Sequence, residues 1–267
     1  MPAIHLHRLR KQAAALADLF NQPEAFVRSI SDLFEEYADR VHRPGLAGEP
    51  RPLMPAYNVP PPMLRHLTSE LAPLATISAP ETLALCDLLW EHPYLETRLV
   101  TISLLGMAPI APVDNILNRI HRWAGEVGEA RLIKAMAQQG LERVRTERNT
   151  RMLVEIEGWL DSKNSSLQRL GLCALLPLIQ DRNFENLPVI LDLLSPFLRT
   201  APLPIRPDVL DVVAGLARRS PRETAFMLRQ NLEAPDNPDT SLLIRQSLPH
   251  FPKDIQESLR LAVRSRR

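Results

Sequence analysis

The chain has 267 residues, 45% of them hydrophobic, enough to bury a continuous core as one long array or two small domains. Its 32 Lys+Arg nearly balance 31 Asp+Glu, and a net charge of +1 argues mildly against nucleic acid as the default partner, since readers of DNA or RNA usually carry a basic excess. No run of apolar residues is long enough to span a membrane, and with His5, His7, Arg8, Arg10 and Lys11 ahead of any apolar stretch no secretory leader is expected.

In chain order, residues 1–42 give one or two helices, the better one from Pro23 to Val41 with Phe26, Ile30, Leu33 and Phe34 on one side. Arg43 to Pro62 is dense in proline and has no helical period. It is expected to be an extended, semi-rigid connector between an N-terminal helical cap (1–42) and a repeat array (63–267). Helices are then predicted over Met63–Ile77, Thr82–Trp90, Pro93–Gly106, Val113–Glu126 and Glu129–Gln139, followed by a longer, charged one over Leu141–Leu160. Further apolar stripes run through Leu167–Leu178, Leu187–Phe197 and Val209–Leu216. Ser220-Pro221-Arg222-Glu223 marks a helix start, and Leu242–Leu248 and Ile255–Val263 close the array. Ile205 is the nearest thing to a strand, and Pro204 and Pro207 beside it argue against one.

Paired short helices recurring about every 35–45 residues are the signature of a helical repeat, because such a pair cannot bury its apolar face alone. The fold class read from the sequence is therefore all-α, a right-handed α-solenoid of HEAT-like pairs. Twenty-five prolines against nine glycines fit helices cut to repeat length.

Signatures of phosphate cradling, zinc hydrolysis and nucleophile-elbow chemistry are missing from the sequence, so no cofactor is expected. The seven histidines are scattered, and no metal site is expected. Cys86 and Cys173 sit in apolar helical stretches and read as buried thiols of a reduced, cytoplasmic protein.

Two turns are more specific. Leu89–Gly106 ends one helix at Trp90 and restarts with Glu96 and Arg98. In Trp159–Leu176, Trp159 closes a helix, Asp161–Ser165 make a capping turn, and Arg169 and Gly171 lie on the next helix. Trp159, Ser162, Asn164, Arg169 and Gly171 together resemble the AlkD-like DNA alkylation repair family, over about residues 80–265. That resemblance implies a HEAT-like array embracing duplex DNA. It also implies an acidic residue in a tryptophan-rich segment of the form WDxxD and an aromatic beside the Ser-x-Asn turn. Here the corresponding segment is Trp123-Ala124-Gly125-Glu126-Val127-Gly128-Glu129, and Ser165 and Ser166 stand where the aromatic is expected. A carboxylate that stabilises cationic charge on the sugar would then be Glu126 or Glu129, with Asp114 a weaker choice.

The densest run of positive charge is Arg143, Arg145, Arg148 and Arg151, interleaved with Glu142 and Glu147. The spacings of three from Arg145 to Arg148 to Arg151 turn several guanidinium groups toward one side of a helix. The result is either a phosphate-facing ridge or a self-neutralised exposed helix. Arg169 reads equally as a phosphate contact or as the partner of Asp161, and Trp90, Trp123 and Trp159 read as core residues or as stacking surfaces. The leading expectation is shape and phosphate recognition of duplex DNA by Arg143, Arg145, Arg148, Arg151, Arg169 and Trp159 on a concave face. The competing ones are a protein-interaction scaffold and a glycosylase releasing cationic alkylpurines.

Overall fold

The computed structural model describes residues 6–39 and 51–265. Among them are fifteen α-helices and no strand, so the chain is all-α. It divides into two compact units, Met1–Asn149 and Thr150–Arg267. The expected boundary at the proline-rich connector falls inside the first unit. Residues 43–50 of that connector, His5, and the tail residues Arg266 and Arg267 lie outside the described residues.

The first unit holds α1 (Leu6–Ala17), α2 (Pro23–Glu36), α3 (Pro61–Ala75), α4 (Ala79–Glu91), α5 (Leu95–Met107), α6 (Asp114–Glu126), α7 (Ala130–Ala135) and α8 (Glu142–Glu147). Alternate helices pack side by side: α1 on α3, α3 on α5, α5 on α7, and α2 on α4. The α2–α4 row continues to α6 through a bidentate ion pair. Arg119 Nε and Nη2 reach the Asp87 carboxylate at 2.9 and 2.6 Å, and beside it the indoles of Trp90 and Trp123 stack with centroids 4.3 Å apart.

The second unit begins with α9 (Asn149–Leu160, as its helix is bounded), followed by α10 (Ser165–Gln180), α11 (Leu187–Arg199), α12 (Arg206–Arg219), α13 (Pro221–Glu233), α14 (Thr240–Ser247) and α15 (Lys253–Arg264). The same rule holds here, with α10, α12 and α14 in one row and α11, α13 and α15 in the other. Each row buries a stripe predicted from the sequence, such as Leu170, Ala174 and Leu178 of α10 against Val209, Val213 and Leu216 of α12. This next-but-one packing is the helical-repeat layering that the period implied.

One element differs from expectation. The predicted helix over 141–160 is two helices, because Arg148 leaves the helical region (φ −142°, ψ 45°). Just upstream, Met136–Gly140 form a π-helical turn. The turn is seated against Gly106 of α5, where an added Cβ would lie 2.0 Å from the Gln139 carbonyl oxygen. Gly140 is similarly confined by Ile120, 2.9 Å from its own would-be Cβ.

Substituting Gly106 by alanine should therefore cost at least about 1–3 kcal/mol, the usual range for forcing volume into a packed core. Gly158, exposed in α9 with nothing within 4 Å, should gain from the same change. Its expected gain is about 0.5–1 kcal/mol of helix propensity. Chemical denaturation of Gly106→Ala and Gly158→Ala measures both, and a harmless Gly106→Ala would contradict the close packing.

Candidate nucleic-acid interface

The acidic candidates part company. Glu129 is buried and caps α7. Its Oε1 accepts the Arg131 amide at 3.1 Å, and its Oε2 accepts the Leu53 amide of the connector at 2.8 Å. Both oxygens are thus committed to backbone donors. Glu126 is exposed at the end of α6, and its charge reaches Arg98. Asp114 opens α6 as the acidic residue of its first turn.

Arg98 is fixed from three sides. Its Nε donates to the carbonyls of Trp90 and His92, both at 3.1 Å, and its guanidinium lies 4.7 Å over the Trp90 ring. Burial lowers its pKa, while the charges of Glu91 and Glu126 hold it up. The group therefore closes the α4 end and covers the tryptophan pair.

A second buried carboxylate, Glu96 at the start of α5, accepts the amides of Tyr57 at 3.0 Å and Asn58 at 2.7 Å. Asn58 takes a left-handed conformation (φ 57°), which lets the two successive amides converge on one carboxylate. The connector is fastened further by Leu95 N to Pro55 O and by Asp39 N to Tyr57 O, while Tyr57 stacks on Tyr94 at 4.1 Å. Burial raises the Tyr57 pKa. Residues 53–58 are thus bound to the helices rather than laid loosely over them. Beneath them a cleft of about 430 Å3 opens between α3, α5 and the π-helical turn, with Arg65, Ser103, Arg131 and Gln139 among its lining.

The arginine run does not form a single ridge. Arg143 donates to the carbonyls of Met107 and Ala108 at 3.2 and 3.1 Å and pairs with Glu147 at 2.8 Å, closing the end of α5. Arg145 reaches the Gln138 carbonyl at 3.5 Å. Arg148, at the helix break, is exposed and donates to the neighbouring Glu147 carbonyl. Arg151, across the break on α9, pairs with Glu155 one turn on.

In the second unit the capping turn is as expected. Asn164 Oδ1 accepts the Ser166 amide at 2.8 Å, and Ser162 Oγ accepts the Asn164 amide at 3.1 Å. Gly171 lets α9 approach α10, since a Cβ there would lie 2.9 Å from the Leu160 side chain. Arg169, however, pairs with Asp208 of α12 at 2.8 Å, not with Asp161. Asp208 is only 3% exposed and also accepts the Cys173 thiol at 3.6 Å. Trp90, Trp123 and Trp159 are 3%, 0% and 1% exposed, so all three rings belong to the core. Cys86 is buried too, and its thiol is pushed far above the usual range, which removes it as a nucleophile.

Sequence reading did not foresee how many polar side chains would act one repeat away. Asp87–Arg119, Ser103–Gln139, Arg169–Asp208, Arg199–Asn231 and Arg206–Asp239 lie 32–39 positions apart. Arg219 donates to the carbonyls of Ile179, Asp181, Arg182 and Phe184 at the end of α10. Their signal in the sequence is an arginine and an aspartate recurring at the helix-pair period.

Removing Arg169 alone would leave Asp208 buried and unpaired, at an expected cost of about 3–5 kcal/mol. Arg169→Leu combined with Asp208→Leu should recover most of that loss. Urea denaturation of the single and double variants checks it, and equal losses in both would refute the pairing as the cause.

The sequence model of the family described as DNA alkylation repair enzyme matches residues 30–196. None of the curated proteins compared matches the chain. Among solved structures, AlkD2 from Streptococcus mutans is similar, with a TM-score of 0.56 at 13% identity, over 70% of this chain and 99% of that one. At that identity the likeness speaks for the fold.

Proposed function

The chain belongs to the DNA alkylation repair enzyme family, and from that premise we propose that it holds duplex DNA by its phosphate backbone without excising a base. The observation that carries the choice of binding over excision is the burial of all three tryptophans. A glycosylase that works on a cationic base needs an aromatic surface against the lesion and a carboxylate free to face the sugar. Here the indoles are interior, and Glu129 spends both oxygens on amides. Glu126 alone of the candidate pair is exposed, while Trp123, one turn before it on α6, is buried.

Phosphate contact falls to arginines that face solvent. Arg148 is one. Arg151 is another, because its pair with Glu155 is a surface i,i+4 pair worth about 0.3–0.5 kcal/mol, which a phosphate can displace. Arg145, half-buried on α8, supplements them. Arg143 and Arg169 serve the fold first, through their carbonyl and Asp208 bonds. Recognition of this kind positions the duplex and reads little sequence.

Anisotropy with a 20-base-pair duplex should show affinity falling steeply with salt. Arg148→Ala and Arg151→Ala should each reduce the log–log salt slope by about 1. Wild-type protein that does not bind at low salt would sink the proposal. In parallel, alkylated DNA should yield no 7-methylguanine or 3-methyladenine. Release that Glu126→Gln abolishes would assign excision to that acid instead.

A further inference from the structure

We propose that the second unit carries a phosphate-binding cleft built by Arg245, Arg260 and Arg264. The three arginines line a cleft of about 210 Å3 between α14 and α15, completed by Ile244, Leu248 and Val263. No carboxylate lines it, and none of the three has an ion pair among the described residues. Arg260 bonds only the neutral Gln256 amide oxygen, at 3.0 Å. All three are exposed.

Several arginines of this unit are spoken for. Arg169 and Arg206 pair with aspartates, Arg199 bonds Asn231, and Arg219 is spread over four carbonyls. By contrast, Arg260 and Arg264 stand one turn apart on one face of α15, facing Arg245 of α14 across the cleft that all three line. Like charges at that spacing repel and destabilise a helix, and an anion between them removes the repulsion. Guanidinium forks match the geometry of phosphate oxygens, and three cations suit a doubly charged or bridging group. The volume is below the roughly 300 Å3 at which pockets for whole small molecules begin, so it fits a phosphate rather than a nucleoside. The carrier of that phosphate is the backbone of the bound duplex, a clause that rests on the duplex reading above.

Arg245 and Arg264 also occupy the last turns of their helices, where a cation offsets the helix dipole. The two roles differ in sign. If the dipole is their purpose, neutralising them lowers Tm in any buffer. If the cleft awaits an anion, neutralising them relieves repulsion when phosphate is absent.

The test uses the full chain in inorganic phosphate or chloride at matched ionic strength, with Arg260→Gln/Arg264→Gln as the variant. Phosphate should raise the wild-type Tm, and the variant should lose that shift while melting no lower than wild type in chloride. In duplex binding the variant should lower the log–log salt slope by about 1–2. No phosphate shift in wild type, a shift retained by the variant, or a variant that melts lower in chloride overturns the cleft. A phosphate shift lost by the variant with an unchanged duplex slope overturns DNA as the carrier and leaves free phosphate. A phosphate shift without any duplex binding sinks the duplex reading and leaves the cleft. Arg245→Gln supplies the same readouts should the double variant not fold.

Discussion

A helix of twelve to sixteen residues is marginal on its own in water, and each end leaves backbone groups without partners. In this chain the helices gain what they lack from side chains one repeat away. Arg143 closes the end of α5, Arg219 the end of α10, and Thr240 Oγ1 donates to the Leu198 carbonyl of α11 at 2.8 Å. Packing rows bury the apolar stripes, and these long polar reaches set how far one pair stands from the next. Part of the charge in the sequence, above all on Arg119, Arg143, Arg169, Arg206 and Arg219, is spent on that task. A near-neutral chain with many arginines therefore commits several of them to its own carbonyls and aspartates and leaves others for a partner.

The same logic governs the buried acids. Glu96 and Glu129 look on paper like candidates for chemistry, since carboxylates seldom enter a core without cause. Their cause is the connector. With three amides of residues 53–58 and one at the start of α7, the two carboxylates have four backbone donors between them. A carboxylate satisfied in this way is held in one place. It is a poor choice for a group that must meet a substrate.

Much of the fold was legible because it rests on periodicity. The stripes, the Ser162–Asn164 turn and the proline-opened helix at Pro221 all appear where local chemistry puts them. Two features escaped. The break at Arg148 follows a run of good helix formers, so propensity gives no warning; the preceding π-helical turn and its fit to Gly106 are tertiary matters. The fates of Arg143, Arg169 and the tryptophans escaped for a related reason. Spacing along a helix says which residues share a side, but not which repeat that side will meet. Ser220 and Glu223 show a milder version: the pair forms, but as a hydroxyl donating to the carboxylate rather than as caps on amides, and that bond lowers the Glu223 pKa.

The π-helical turn at Met136–Gly140 has a bearing on the helix that follows it. Widening one turn by a residue advances the chain by about 100° of rotation relative to a regular helix. From α8, which starts after that widened turn, Arg143 meets the carbonyls of Met107 and Ala108. A single-codon deletion there would leave composition, charge and helix content almost untouched, and would still swing the α8 cations to a different azimuth. In this protein the address of a positive charge is thus encoded several residues before the charge itself.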